Sequence, residues 1–186
     1  MRKDLGPQSY IYPMPVLIIG TYCEDGTPNA MNAAWGGILG NHEISIYISP
    51  WRKTLKNILK RNEFTVSMAD GAHVTEADYV GIVSANDTPD KFQKSGFHAT
   101  KSQYVDAPLI DELGMTLECK KISYEEETCK LVAEIVNISA DESILNEKGE
   151  IDPIKLDPIT FDSVGNLYFH SDQIAGHAFK DGKKLK

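Results

Sequence analysis

The chain has few cysteines, no long apolar run and no basic stripe, and each shortage removes a class of function. Its 3 cysteines, Cys23, Cys119 and Cys129, leave an odd thiol and form no close pair of the kind metal or dithiol motifs use. They read as packing residues in a reduced compartment. The 5 histidines are dispersed, without a His-x-x-x-His pair or a carboxylate at ligand spacing, so no zinc site can be read. No stretch approaches the ~20 apolar residues that span a bilayer. Arg2 and Lys3 precede the apolar run at Val16 to Ile19, but Pro13 and Pro15 interrupt it and no small-residue cleavage site follows. A signal peptide is therefore not expected, and a cytoplasmic location is. The net charge of −8 repels a phosphate backbone, so nucleic acid is not an expected partner. The one basic concentration, Lys180 to Lys186, lacks an adjoining apolar face and reads as a solvated tail, not a membrane anchor.

What is present is the composition of an ordinary globular protein, and 186 residues support one sizeable core, hence one domain over the whole chain. Val16 to Tyr22 is β-branched and apolar, and Asp25-Gly26 after it signals a hairpin whose return strand carries Asn29 to Gly37. In Glu43 to Ser49 the residues Ile44, Ile46 and Ile48 alternate with polar neighbours, the pattern of a half-buried strand. From Thr54 the period becomes helical, with Leu55, Ile58 and Leu59 on one face. Phe64 to Met68 returns to strand character. Thr75-Glu76-Ala77-Asp78 has a capping-box pattern predicting a short helix that ends near Val83, followed by a loop to Gly96. Met115 to Tyr124 and Thr128 to Ser139 form a second hairpin around Glu126, with Cys119 opposite a residue near Ala133. Asn146 to Pro158 reads as a surface connection, and Leu167 to Phe169 as a last strand. Strands joined by different turns, with two short helices, predict a mainly β, closed or nearly closed antiparallel barrel.

Two stretches carry chemistry. Ser49-Pro50-Trp51-Arg52-Lys53-Thr54 sets two cations and a hydroxyl at the start of a predicted helix, where unpaired N–H groups and the dipole favour an anion. The competing reading is a solvated helix start with Thr54 as N-cap. Asn29-Ala30-Met31-Asn32-Ala33-Ala34-Trp35-Gly36-Gly37 is unusually small for a strand and would let a flat ring approach the backbone, with Trp35 as a wall. The competing reading is a crowded barrel strand with a core tryptophan.

Together these stretches resemble the flavin reductase-like family of FMN-binding split barrels, most closely its flavoredoxin-type branch. The resemblance runs from Pro13-Met14-Pro15-Val16 through Asp25-Gly26-Thr27-Pro28-Asn29 and the alanine-tryptophan stretch to Arg52-Lys53-Thr54 and Asn57-Ile58. It continues in Asp90-Lys91-Phe92, Ala107-Pro108-Leu109 and Leu117-Glu118-Cys119. It implies an FMN-binding split β-barrel that forms a homodimer with FMN at or near the subunit interface. The phosphate would be held by Arg52, Lys53 and Thr54, with Ser49 beside it. Asn32, Ala33 and Trp35 match the family segment that lines the isoalloxazine. Lys91 and Phe92 are added cofactor-site candidates, or else an ordinary charged loop with an apolar anchor. Many relatives carry Gly-Asp-His near the second hairpin, associated with the nicotinamide substrate; this chain has Glu125-Glu126-Glu127-Thr128-Cys129 there, which puts direct NAD(P)H use in doubt.

The implied activity is oxidoreduction, with electrons passing from NAD(P)H or a small redox protein through FMN to a flavin or protein acceptor. No catalytic acid or base is assigned, because flavin carries its own redox chemistry. His177 is either a substrate-side residue or a surface histidine. The rival readings are a pyridoxamine-phosphate-oxidase-like enzyme, a non-catalytic flavin-binding protein, and a barrel used only for protein interaction.

Overall fold

The strands are set out by alternation, and the computed structural model describes all of residues 1–186. The chain begins with β1 (Met14–Pro15), β2 (Leu17–Tyr22), β3 (Pro28–Ala33), β4 (Gly36–Gly40) and β5 (Glu43–Tyr47). Helix α1 (Lys53–Arg61), strand β6 (Glu63–Met68) and helices α2 (Val74–Ile82) and α3 (Lys91–Ser95) follow. Then come β7 (Ala99–Lys101), β8 (Pro108–Ile110), β9 (Met115–Glu125), β10 (Lys130–Ala140), α4 (Pro153–Leu156), β11 (Ile159–Asp162) and β12 (Leu167–His170).

Seven strands form one antiparallel sheet in the order β3-β2-β6-β9-β10-β5-β4, curled into a split barrel. Its two edges, β3 and β4, are consecutive in the chain. Ile44, Ile46 and Ile48 all point inward and are at most 3% exposed, as alternation requires. They meet Leu17, Ile19, Phe64, Val66 and Leu131 in an inner core, which Leu55 and Ile58 of α1 plug. Leu59 lies outside that helical face, at 46% exposure. Strand β2 is buried on both sides: Ile18, with Val16 just ahead of the strand, enters an outer core with Ala77, Val80, Phe92 and Phe97 beneath α2 and α3.

Several expectations need correction. The return strand of the first hairpin stops at Ala33, not Gly37. At Trp35 the chain leaves β2 for the opposite edge, where the Tyr47 N–H donates to the Trp35 carbonyl (2.9 Å) and Gly36 pairs with Ile46. Thr75 lies inside α2; the Asp70 carboxylate accepts from the His73 N–H at 2.9 Å, just ahead of the helix. The predicted loop to Gly96 contains α3, whose five residues are too few to show a helical period. Cys119 faces Ile135, not Ala133, because the turn is centred between Glu127 and Thr128, with Lys130 opposite Glu125, and the one-residue irregularity after Val132 moves the pairing back by only one position. All three thiols are free, and burial pushes that of Cys119 up to about 12. The Asn146 to Pro158 connection contains α4, capped by the Asp152 carboxylate, and the last strand pairs with β11 in a small sheet, β1-β11-β12. The basic C-terminal segment lies in solvent. No helix is long and apolar enough to cross a membrane.

Gly20 marks the tightest point of the sheet. A methyl group there would lie 3.0 Å from the Pro108 carbonyl oxygen and closer still to the Thr65 hydroxyl. Gly20→Ala should therefore destabilise the fold by about 1–3 kcal/mol through overpacking, read from the urea midpoint.

Candidate functional site

The small side chains of β3 leave space beside the barrel. A cavity of about 570 Å³ opens there, floored by Met31, Asn32, Ala33 and Ala34. Trp35, half exposed, forms one wall. Phe161 and Tyr168, with ring centroids 5.8 Å apart, form another on the β11–β12 hairpin. Trp35 is thus not a core residue. Asn32 donates its amide to the Ala77 carbonyl at 3.1 Å and to the Tyr168 hydroxyl at 3.5 Å, which fixes its orientation and leaves Oδ1 as an acceptor in the cavity wall. Ser49 and Arg52 complete the lining near α1.

Arg52 also lines a narrow cleft with Lys53, Thr54, Asn29, Ser84 and Lys91, so cavity and cleft adjoin. Arg52 is the N-cap of α1 in extended conformation, with no side-chain cap and no acidic residue in the first turn. The first intrahelical bond is Lys56 N–H to the Arg52 carbonyl at 3.3 Å, leaving the N–H groups of Lys53, Thr54 and Leu55 without helical partners. Thr54 is not the N-cap: its buried hydroxyl accepts from the Asn29 amide at 2.9 Å.

Asn29 is 2% exposed; its Nδ2 donates to the Thr21 and Thr54 hydroxyls while its Oδ1 has no partner. Because both hydroxyls can donate instead, the amide can turn and offer N–H at the cleft. Turned that way, the amide would give an anion beside the two cations a hydrogen bond. Lys91 is 3% exposed and donates to the Val80 and Val83 carbonyls at 2.8 and 2.7 Å, with its third N–H to spare. Burial, with Arg52 nearby, pushes its pKa down to about 8. The cleft thus carries three cations, a helix opening and no carboxylate, chemistry that suits a phosphate ester, in a space of about 10 Å³ that side chains such as Arg52 and Lys53 would have to open to admit one. The Asn86 amide donates to the Trp51 carbonyl at 3.0 Å, tying the α2–α3 connection to this corner.

The structure therefore brings Asn32, Ala33, Trp35, Ser49 and Arg52 to the cavity, and Arg52, Lys53, Thr54 and Lys91 to the cleft. Phe92 lines neither: it is packed in the outer core against Phe97, with centroids 6.4 Å apart. His177 is exposed; its backbone N–H donates to Asp181, and it lines neither space. Sequence reasoning missed Asn29, Asp78, Phe161 and Tyr168. Only Asn29 had a local signal, since an asparagine inside an apolar strand needs a polar partner.

A family model described as the flavin reductase like domain matches residues 9–172. Flavoredoxin of Desulfovibrio vulgaris (Miyazaki F) is 36% identical and superimposes with a TM-score of 0.92 over 98% of this chain and 100% of that one. Flavoredoxin from Methanosarcina acetivorans is 26% identical, with a TM-score of 0.89 over the full length of both chains. An FMN-binding domain of a flavin reductases-like enzyme from Shewanella baltica shares 19% identity and the fold, with a TM-score of 0.78 over 88% of each chain.

The Lys91 side chain should titrate near pH 8 by NMR in the free protein. A bound phosphate ester favours the ammonium and should move that titration upward. Because the neutral amine attracts the anion less, phosphate-ester affinity should fall as pH rises through that value.

Proposed function

The chain belongs to the flavin reductase-like family, and on that premise we propose that it is an FMN-dependent oxidoreductase of the flavoredoxin type. It takes electrons from a small redox protein or NAD(P)H and passes them to a flavin or protein acceptor. The observation that carries this reading is the junction of two unlike spaces: a cationic cleft with an unanswered buried amide, and a cavity floored by small side chains.

In this reading Arg52, Lys53, Thr54, Lys91 and the α1 N–H groups hold the phosphate, with Ser49 and Asn29 beside it. Asn32, Ala33 and Trp35 would receive the isoalloxazine, with Asn32 Oδ1 offering an acceptor to it. Trp35, Phe161 and Tyr168 keep water from its faces. The bound flavin supplies hydride and single-electron chemistry, so the protein's part is to bind, orient and tune. The flavin reductase like family model supports a flavin, and the FMN-binding domain from Shewanella baltica supports the choice of FMN.

This reading includes a homodimer. Trp35, Ile38 and Tyr47, on or beside the edge strand β4, are 50%, 69% and 49% exposed, and a second copy would cover them, Trp35 and Tyr47 at the cavity itself. Glu125 to Cys129 is a tight turn with Cys129 at φ 59 and no histidine, which favours a redox protein over a nicotinamide as donor. A pyridoxamine-phosphate-oxidase-like activity needs a second anion site, whereas the second charged group in the cavity wall is Asp78, a carboxylate.

FMN-loaded protein mixed anaerobically with NADH, NADPH and a reduced iron protein in turn should bleach with at least one donor; no bleaching by any of them contradicts the redox role. In the R52A/K53A variant, losing two charge-assisted contacts should weaken FMN binding by about 3 kcal/mol, more than a hundredfold, with the circular dichroism unchanged. Unchanged affinity would contradict the phosphate assignment.

A further inference from the structure

The cavity wall holds two charged side chains, Arg52 and Asp78. Arg52 also faces the cleft and belongs to the phosphate site described above. Asp78 is left over. It projects from α2 and accepts a hydrogen bond from the Tyr168 hydroxyl at 2.9 Å, a neutral partner that leaves its charge uncompensated. Tyr168 takes a second bond, from the Asn32 amide at 3.5 Å. Burial and the Asp78 contact push the Tyr168 pKa up to about 12, so the phenol stays protonated and must be the donor. The donors run in one direction: Asn32 amide to Tyr168 hydroxyl to Asp78 carboxylate. Gly81 lets α2 lie close enough to β3 for this chain to form, since a Cβ there would sit 3.0 Å from the Asn32 Cβ.

Resting on the flavin reading above, we propose that Asp78, oriented by Tyr168, is an electrostatic and positioning residue that makes the bound flavin harder to reduce and so a stronger electron donor. Two-electron reduction of a flavin takes an electron pair from the donor and, at neutral pH, one proton from water, so the ring gains one negative charge. A fixed carboxylate in the wall of the same cavity opposes that charge. Arg52 does not offset it, because a phosphate in the cleft engages the guanidinium. Asn32, which receives the ring, is tied to Asp78 through one hydroxyl, so the carboxylate acts close to where the charge develops. The acceptor class this fits is one needing electrons at low potential.

The test is spectroelectrochemical titration of FMN-loaded wild type and D78N at one pH. Asparagine keeps the size of Asp78 and an acceptor for Tyr168 while removing the charge. At a fixed applied potential the ratio of reduced to oxidised flavin should rise about tenfold in D78N, which for a two-electron couple is about 30 mV. Y168F, which keeps the charge, should change that ratio less than D78N does. D78S, smaller than the native side chain, carries the same expectation as D78N. A ratio within twofold of wild type in D78N or D78S, or a change in Y168F as large as that in D78N, overturns the proposal while leaving FMN binding intact. A wild-type protein that takes up no FMN overturns the flavin reading and this inference with it.

Discussion

Everything at the site depends on how α1 meets the barrel. Leu55 and Ile58 are fully buried in the inner core, and that burial holds the helix start in place without any cap of its own. Burying two such side chains contributes about 3–6 kcal/mol, more than the ~1 kcal/mol a missing N-cap costs. The fold can therefore leave three N–H groups and two cations facing a cleft. Asn29, buried between Thr21 and Thr54, links that cleft to the sheet and carries an unanswered polar atom.

The same economy shapes the cavity. Small residues along β3 weaken strand packing, but β3 is an edge strand whose partner β2 is buried on both faces, so the barrel tolerates the loss. The space gained is closed by elements far away in sequence: Asp78 on α2, and Phe161 and Tyr168 on the β11–β12 hairpin. The site is thus assembled on the large sheet with one wall supplied by the small sheet and fastened by the Tyr168 to Asp78 hydrogen bond.

Local pattern made much of this legible. Isoleucine alternation in β5, the Asp-Gly turn after β2 and the helical period from Thr54 each express a period that one element imposes by itself, and each appears where expected. Arg52, Lys53 and the stretch from Asn32 to Trp35 were readable for the same reason, since a helix opening and a run of small residues are local features. What could not be read depends on pairing across the chain. The break at Trp35 is decided by a bond to Tyr47, the pairing of Cys119 with Ile135 by where the Glu126–Cys129 turn is centred, and the burial of Phe92 by Phe97. Tyr168 and Asp78 lie 90 residues apart and meet only through the third dimension.

The central claim is that the cleft at α1 supplies the affinity and the cavity supplies the chemistry's setting. It is tested most directly by titrating the purified protein with FMN and with riboflavin, which share the ring and differ in the phosphate. The account predicts that FMN binds at least a hundredfold more tightly, the equivalent of about 3 kcal/mol. Equal affinity for the two would contradict it.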